Sequence, residues 1–167
     1  MRHFIFRKLA LAALLVAALT PARANIGDSL TQLRQHYGSA KTMGGQMLFE
    51  VRIKDGQILP ARDVADKDMH FSITVYFDGA YSAMEVFTRN TSDPVKANMT
   101  PQDISSILGA LGGNIPWVPV PTPSGKQTWV WGDDKNKPPK IRARFDPAKS
   151  TNPDDASVLV IMEYTEK

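Results

Sequence analysis

The chain contains no cysteine, and that absence removes disulfides, thiolate nucleophiles, thiol redox chemistry and cysteine-ligated zinc together. Histidine is nearly as scarce, with three in 167 residues. One is His3, in the opening segment, so only His36 and His70 remain for metal ligation or general-base work at neutral pH. No H-E-x-x-H or H-x-x-x-H spacing joins them. Gly-x-Ser-x-Gly is missing, and so are the Gly-x-x-x-x-Gly-Lys-Ser/Thr and Gly-x-Gly-x-x-Gly loops that cradle phosphates. Ser124-Gly125 stands in a proline-rich connector with no base beside it. Long hydrophobic runs are missing too: the longest, residues 9–19, is too short to span a bilayer core of ~30 Å. These gaps predict a protein without catalysis, cofactor, metal centre or stable membrane insertion.

What is present begins with that run. Arg2, Arg7 and Lys8 precede it, and Pro21-Ala22-Arg23-Ala24 follows it, which is the pattern of a cleavable secretory leader. Cleavage is expected after Ala24, with Ala22 and Ala24 as the small recognition residues and Asn25 as the new terminus. No cysteine follows for acylation, so the product is expected free in the periplasm or outside the cell. The formal charge of the whole chain is +3. Segment 1–24 holds four basic and no acidic residues, leaving sixteen basic against seventeen acidic and a net charge of −1. Global basicity therefore gives no argument for nucleic acid. Residues 25–167 suffice for one domain with its own core.

Asp28 or Ser29 caps a predicted helix over 28–37, with Leu30, Leu33 and Tyr37 at helical spacing and Gly38 at its end. Residues 47–53 alternate as a half-buried strand, and Lys54-Asp55-Gly56 turns the chain. Segment 59–67 is polar, carries Pro60, and reads as loop. Residues 70–88 form a hairpin about Asp78-Gly79, and 89–99 reads as a connector. Thr100-Pro101-Gln102-Asp103 opens a second helix whose stripe is Ile104, Ile107, Leu108 and Leu111, with Gly112-Gly113 as its stop. Four prolines make 115–123 an extended connector. Strands are predicted at 127–131, 140–145 and 157–164. The expectation is an α+β domain: two short helices on one face of a mostly antiparallel sheet of about six strands.

Both halves, 25–88 and 100–167, run helix then three strands, so the order suggests an αβββ-αβββ duplication. Leu30 and Ile104 hold matching helical places, Tyr37-Gly38 echoes Leu111-Gly112, and Phe77-Asp78-Gly79-Ala80 echoes Phe145-Asp146-Pro147-Ala148. The leader, Tyr37-Gly38, Phe77-Asp78-Gly79, the helix over 104–113, Trp117 and Trp129 together resemble small exported bacterial proteins of unassigned function. The opening Ile26-Gly27-Asp28-Ser29 to Tyr37-Gly38 is similar to the helical start of the SmpA/OmlA outer-membrane assembly lipoproteins and of β-lactamase inhibitory protein. That resemblance implies helices set on antiparallel sheets and binding to other proteins. The chain departs from the first family in lacking a lipobox cysteine and from the second in lacking cysteines altogether.

Three indoles are the first candidate site. Trp129 and Trp131 share one face of a predicted strand, and Trp117 reaches them through the proline-rich link. They form either a binding platform or the cover of the second helix. Lys140, Arg142 and Arg144 alternate with Ile141, Ala143 and Phe145, a cationic stripe that docks an acidic partner or simply faces water, with Asp133, Asp134 and Asp146 near enough to neutralise it. Asp146, Asn152, Asp154 and Asp155 bring oxygen ligands to one loop without EF-hand spacing and read as a solvated turn. The functional expectation is a binding module for another envelope or extracellular protein. The alternative is a carrier of a small lipid, glycan or hydrophobic metabolite in a cleft lined by the indoles with Met84 and Met162. The sequence leaves the oligomeric state open.

Overall fold

A computed structural model describes residues 25–61, 70–91, 93, 97–113, 115–124, 126–132, 141–149 and 155–163; the expected leader lies outside them. Its helices start where capping chemistry places them. Helix α1 is Leu30–Tyr37, and the Ser29 N–H donates to Gln32 Oε1 at 2.9 Å in a reciprocal capping box. Helix α2 is Pro101–Gly112, where the Thr100 N–H donates to Asp103 Oδ2 at 2.8 Å and the Asp103 N–H to Thr100 Oγ1 at 3.2 Å. Arg89 also reaches Asp103, at 3.4 Å. A box of this kind contributes about 1 kcal/mol.

The strands are β1 (Ala40–Met43), β2 (Gln46–Lys54), β3 (Gln57–Pro60), β4 (His70–Asp78), β5 (Tyr81–Arg89), β6 (Trp117–Val120), β7 (Thr128–Trp131), β8 (Ile141–Asp146) and β9 (Val158–Glu163). They form one sheet in the order β1-β2-β4-β5-β9-β8-β7-β6, with β3 also on β2 and every pairing antiparallel. The α+β class and antiparallel sheet agree with the sequence; the expected six strands are nine. The extra three, β1, β3 and β6, have four residues each and sit at the sheet's margins. A strand that short shows too little alternation to declare itself. Segment 115–123, expected as a connector, contains β6 because Pro119 sits on an edge strand, where a missing N–H is tolerated. Likewise β3 ends at Pro60, inside the expected loop, the rest of which lies outside the described residues.

Both helices feed one core. Leu33 and Tyr37 of α1 and Ile107 and Leu111 of α2 bury with Phe49, Phe71, Ile73, Phe87 and Leu159 from the same side of the sheet. Tyr37 meets Phe49 edge-on, ring centres 5.4 Å apart. Gly38 lies at φ 86°, and a Cβ there would stand 2.8 Å from Pro60 Cβ. Glycine thus lets α1 end and β3 close against it.

Candidate functional site

Alternation and register decide where the candidate residues face. Ala143 is fully buried in the core and pairs with Trp129; Trp131, two residues on, pairs with Trp117. All three indoles therefore lie on the helix-covered side, half-buried against the core. Arg142 and Arg144 alternate with Ala143 and face the other way. The indoles and the cationic stripe do not share a surface. Lys140 lies outside the described residues.

The stripe is also neutralised at its end. Arg144 Nη2 stands 2.8 Å and Lys126 Nζ 2.6 Å from the Asp146 carboxylate. Desolvation works to raise that carboxyl, but hydrogen bonds from Lys126 and Arg144, with their charges, outweigh it and hold Asp146 below the usual carboxylate range. Asn152 and Asp154 lie outside the described residues, among which no three histidines or carboxylates gather as metal ligands. Met84 and Met162 pair with each other across β5 and β9, alternating with buried Glu85 and Ile161. They stand on the face away from the indoles and line no cleft with them, which corrects that expectation. His36 Nε2 lies 3.4 Å from Asp28 Oδ2 on an exposed stretch, and His70 begins β4 opposite Arg52. Neither borders the cavities described next.

A groove of about 390 Å³ opens between α2 and the β6–β7 end of the sheet. Ile104, Leu108, Ile115, Trp117 and Trp129 make its apolar wall, with Ser105 and Gln127 as its hydroxyl and amide. Among the described residues, none that lines it is acidic, basic or histidine. The local cause is small residues on α2. A Cβ on Gly112 would stand 3.0 Å from Trp117 Cδ1, so this glycine lets the indole lie against the helix end, whereas Gly109 faces open space. Ile115, at the rim, is 40% exposed, and Val118 on β6 is 38% exposed. Trp117 Nε1 and Trp131 Nε1 are buried with no hydrogen-bond partner among the described residues, both within 4 Å of that Gly112 Cβ position. Such a donor costs about 1–3 kcal/mol while it stays unpaired. A second cavity, about 500 Å³, lies beside Tyr37, Gly38 and Pro60, but Lys41 and Glu50, joined at 2.8 Å, line it.

One polar cluster escaped the sequence reading. Glu85 on β5 is fully buried, and its carboxylate accepts from the Tyr37 hydroxyl at 3.1 and 3.2 Å. Asn25 Nδ2 donates to that same hydroxyl at 2.7 Å. Burial first, then the charge of Asp28, push Glu85 up to about 8 against the pull of the Tyr37 hydrogen bond. Burial, with Glu85 next, pushes Tyr37 well above its ordinary range. The signal was present in the alternation: Glu85 shares its strand face with Phe87.

No protein-family model, curated protein or solved structure matches this chain.

Proposed function

We propose that this is an exported, non-catalytic binding protein, and that its ligand is a small, uncharged, mostly apolar molecule seated in the groove between α2 and β6–β7. The observation that carries the reading is the composition of the groove: about 390 Å³, within the range of small-molecule sites, with no ionisable lining side chain among the described residues. A charged ligand would lose its hydration there without gaining a partner. Ser105 and Gln127 remain to orient one neutral polar group. A reaction needing proton transfer would find no group to perform it among the described lining residues. The leader supports the extracytoplasmic setting.

Titration of the purified protein with the neutral probe N-phenyl-1-naphthylamine, read by tryptophan quenching and energy transfer, tests this. Saturable binding is expected, and Gly109→Leu, which projects into open space from mid-helix, should weaken it at least roughly tenfold while raising stability by up to about 1 kcal/mol. Binding unchanged in that variant would remove the groove as the site.

A second reading has its own observation. Both helices bury against one face, so Tyr76, Met84, Val86 and Met162, with Arg142 and Arg144 beside them, lie on a face that neither helix covers. A sheet face of this kind suits an envelope protein as partner. Crosslinking from Arg142 and Arg144 positions, rather than from the groove, would favour it.

We also infer internal duplication. About an axis through Val86 and Val160, which pair, Leu30, Leu33, Tyr37, Glu85 and Phe87 fall in sequence step with Ile104, Ile107, Leu111, Leu159 and Ile161. The echo of Phe77 in Phe145 is out of step, because Phe145 pairs with Leu159 as Val75 pairs with Glu85.

A further inference from the structure

Residues 25–29 are built into the fold although they belong to no helix or long strand. The Gly27 N–H donates to the Ser82 carbonyl at 2.8 Å, the Ser82 N–H to the Asp28 carbonyl at 2.9 Å, and Ser29 bridges Tyr81. The Ser82 hydroxyl and the Asp28 N–H both donate to the Asn25 carbonyl. This strap holds Asn25 at 6% exposure, with its side chain on the Tyr37 hydroxyl that in turn bonds Glu85. The expected cleavage point is thus one peptide bond from the cluster around a fully buried carboxyl.

The charges around Glu85 are one-sided. From α1 it meets Tyr37; from the strap, Asn25 reaches it through the Tyr37 hydroxyl and the Asp28 charge acts at longer range; from the flanking strands, Val75 and Ile161 pair with it. Asp28 has His36 at 3.4 Å. Among the described residues, Tyr37 is the sole hydrogen-bond partner of Glu85. While Asn25 is joined to Ala24, its nitrogen is a neutral amide. Hydrolysis by a peptidase breaks the Ala24–Asn25 C–N bond, adds water, and leaves a carboxylate on Ala24 and an amine on Asn25 that takes up a proton.

We propose that leader removal completes the fold: the α-ammonium created on Asn25 serves as counter-ion to Glu85, locking the trimmed chain by an interaction that the precursor lacks. The inference rests on the export reading and on the burial of Asn25, and it is independent of the groove. The precursor keeps a carboxyl that resists ionisation in the folded state, which leaves it the less stable form until cleavage.

The full chain is expressed with its leader, alongside a version with Gly-Ser inserted between Ala24 and Asn25, and the processed products are weighed and melted from pH 5 to 8. In the spacer form Glu85 titrates higher folded than unfolded, so its stability falls as pH rises through this window. The natural terminus should blunt that fall, the curves meeting near pH 5 and parting by roughly 3–6 °C near pH 7.5. Glu85→Gln should remove the difference. The Glu85 carboxyl carbon resonance, followed by NMR in both forms, should titrate at least about one pH unit lower in the naturally trimmed chain, a readout that does not need the variant to fold. Correctly trimmed products with coincident curves and titrations would overturn the ion pair alone, as would a difference that survives Glu85→Gln. A mass retaining the leader would overturn the export reading and the pairing with it.

Discussion

The two halves of the sheet place unlike chemistry at places in step with each other. In the first half Tyr37 at the end of α1 meets Glu85 on β5, so a hydroxyl and a carboxyl fill the contact between helix and sheet. In the second, Leu111 near the end of α2 and Leu159 on β9 are both buried hydrocarbon. The helix ends differ as well. Gly38 is closed over by Pro60, whereas Gly112 receives the edge of an indole and a groove remains beyond it. One half thus carries a sealed polar contact that holds the strap at Asn25; the other carries apolar space with an exposed rim. Position within the fold does not dictate which role a half takes. A few side chains do.

Exchanging those side chains tests the comparison most severely. Leu159→Glu puts the first half's carboxyl into the second, where the step-equivalent of Tyr37 is a leucine that donates nothing. It should cost about 4 kcal/mol at pH 7, the scale for an unpartnered buried charge. Urea unfolding measures it, and a loss below about 1 kcal/mol would mean that the second half admits a carboxyl as readily as the first. Tyr37→Phe is the gentler probe. It removes the only donor to Glu85 among the described residues and leaves Asn25 Nδ2 without its acceptor. We expect a loss of about 2 kcal/mol at pH 8, shrinking at pH 5, where Glu85 is uncharged and needs the donor less. Equal losses at both values would show that Glu85 does not ionise in that window.

Much of the frame was legible because its signals are local. Asp28 or Ser29 as a cap and Thr100 with Asp103 announce helix starts within a few residues, Ser29 being the cap in the structure, and Asp78-Gly79 announces its hairpin. Strands of nine residues such as β2 and β4 show their phase plainly. β1, β3 and β6 did not, since four residues paired at a margin owe their state to the neighbour rather than to themselves. The indoles were recognised as a cluster, yet their face was set by the register of β7 on β8, a pairing at a distance that no spacing encodes. The groove depends on two missing side chains on α2, at Gly109 and Gly112, of which the sequence marked only Gly112, as part of the helix stop. Glu85 was legible by phase, and its burial beside Tyr37 was hidden in the docking of α1.

The smallest expected effect concerns the outer face, where the comparison is between Tyr76 of β4 and Asp146 of β8, which follow residues in step, Val75 and Phe145. The first half has an aromatic there; the second has a carboxylate gripped by Lys126 and Arg144. Those cations are 43% and 40% exposed, so solvent screens the pairs and their net worth is small despite short distances. Asp146→Asn should therefore cost below about 1 kcal/mol at pH 7. Because the folded carboxyl titrates below its unfolded value, its contribution is complete above about pH 4 and is lost as pH falls through the folded midpoint. Wild type and variant should thus converge in acid, and should also converge at neutral pH in about 1 M salt, where the screening length is ~3 Å. A penalty that persists in both conditions would mean that Asp146 holds the β8 end by shape and hydrogen bonding rather than by charge, making this face of the second half as rigidly specified as the sealed core contact of the first.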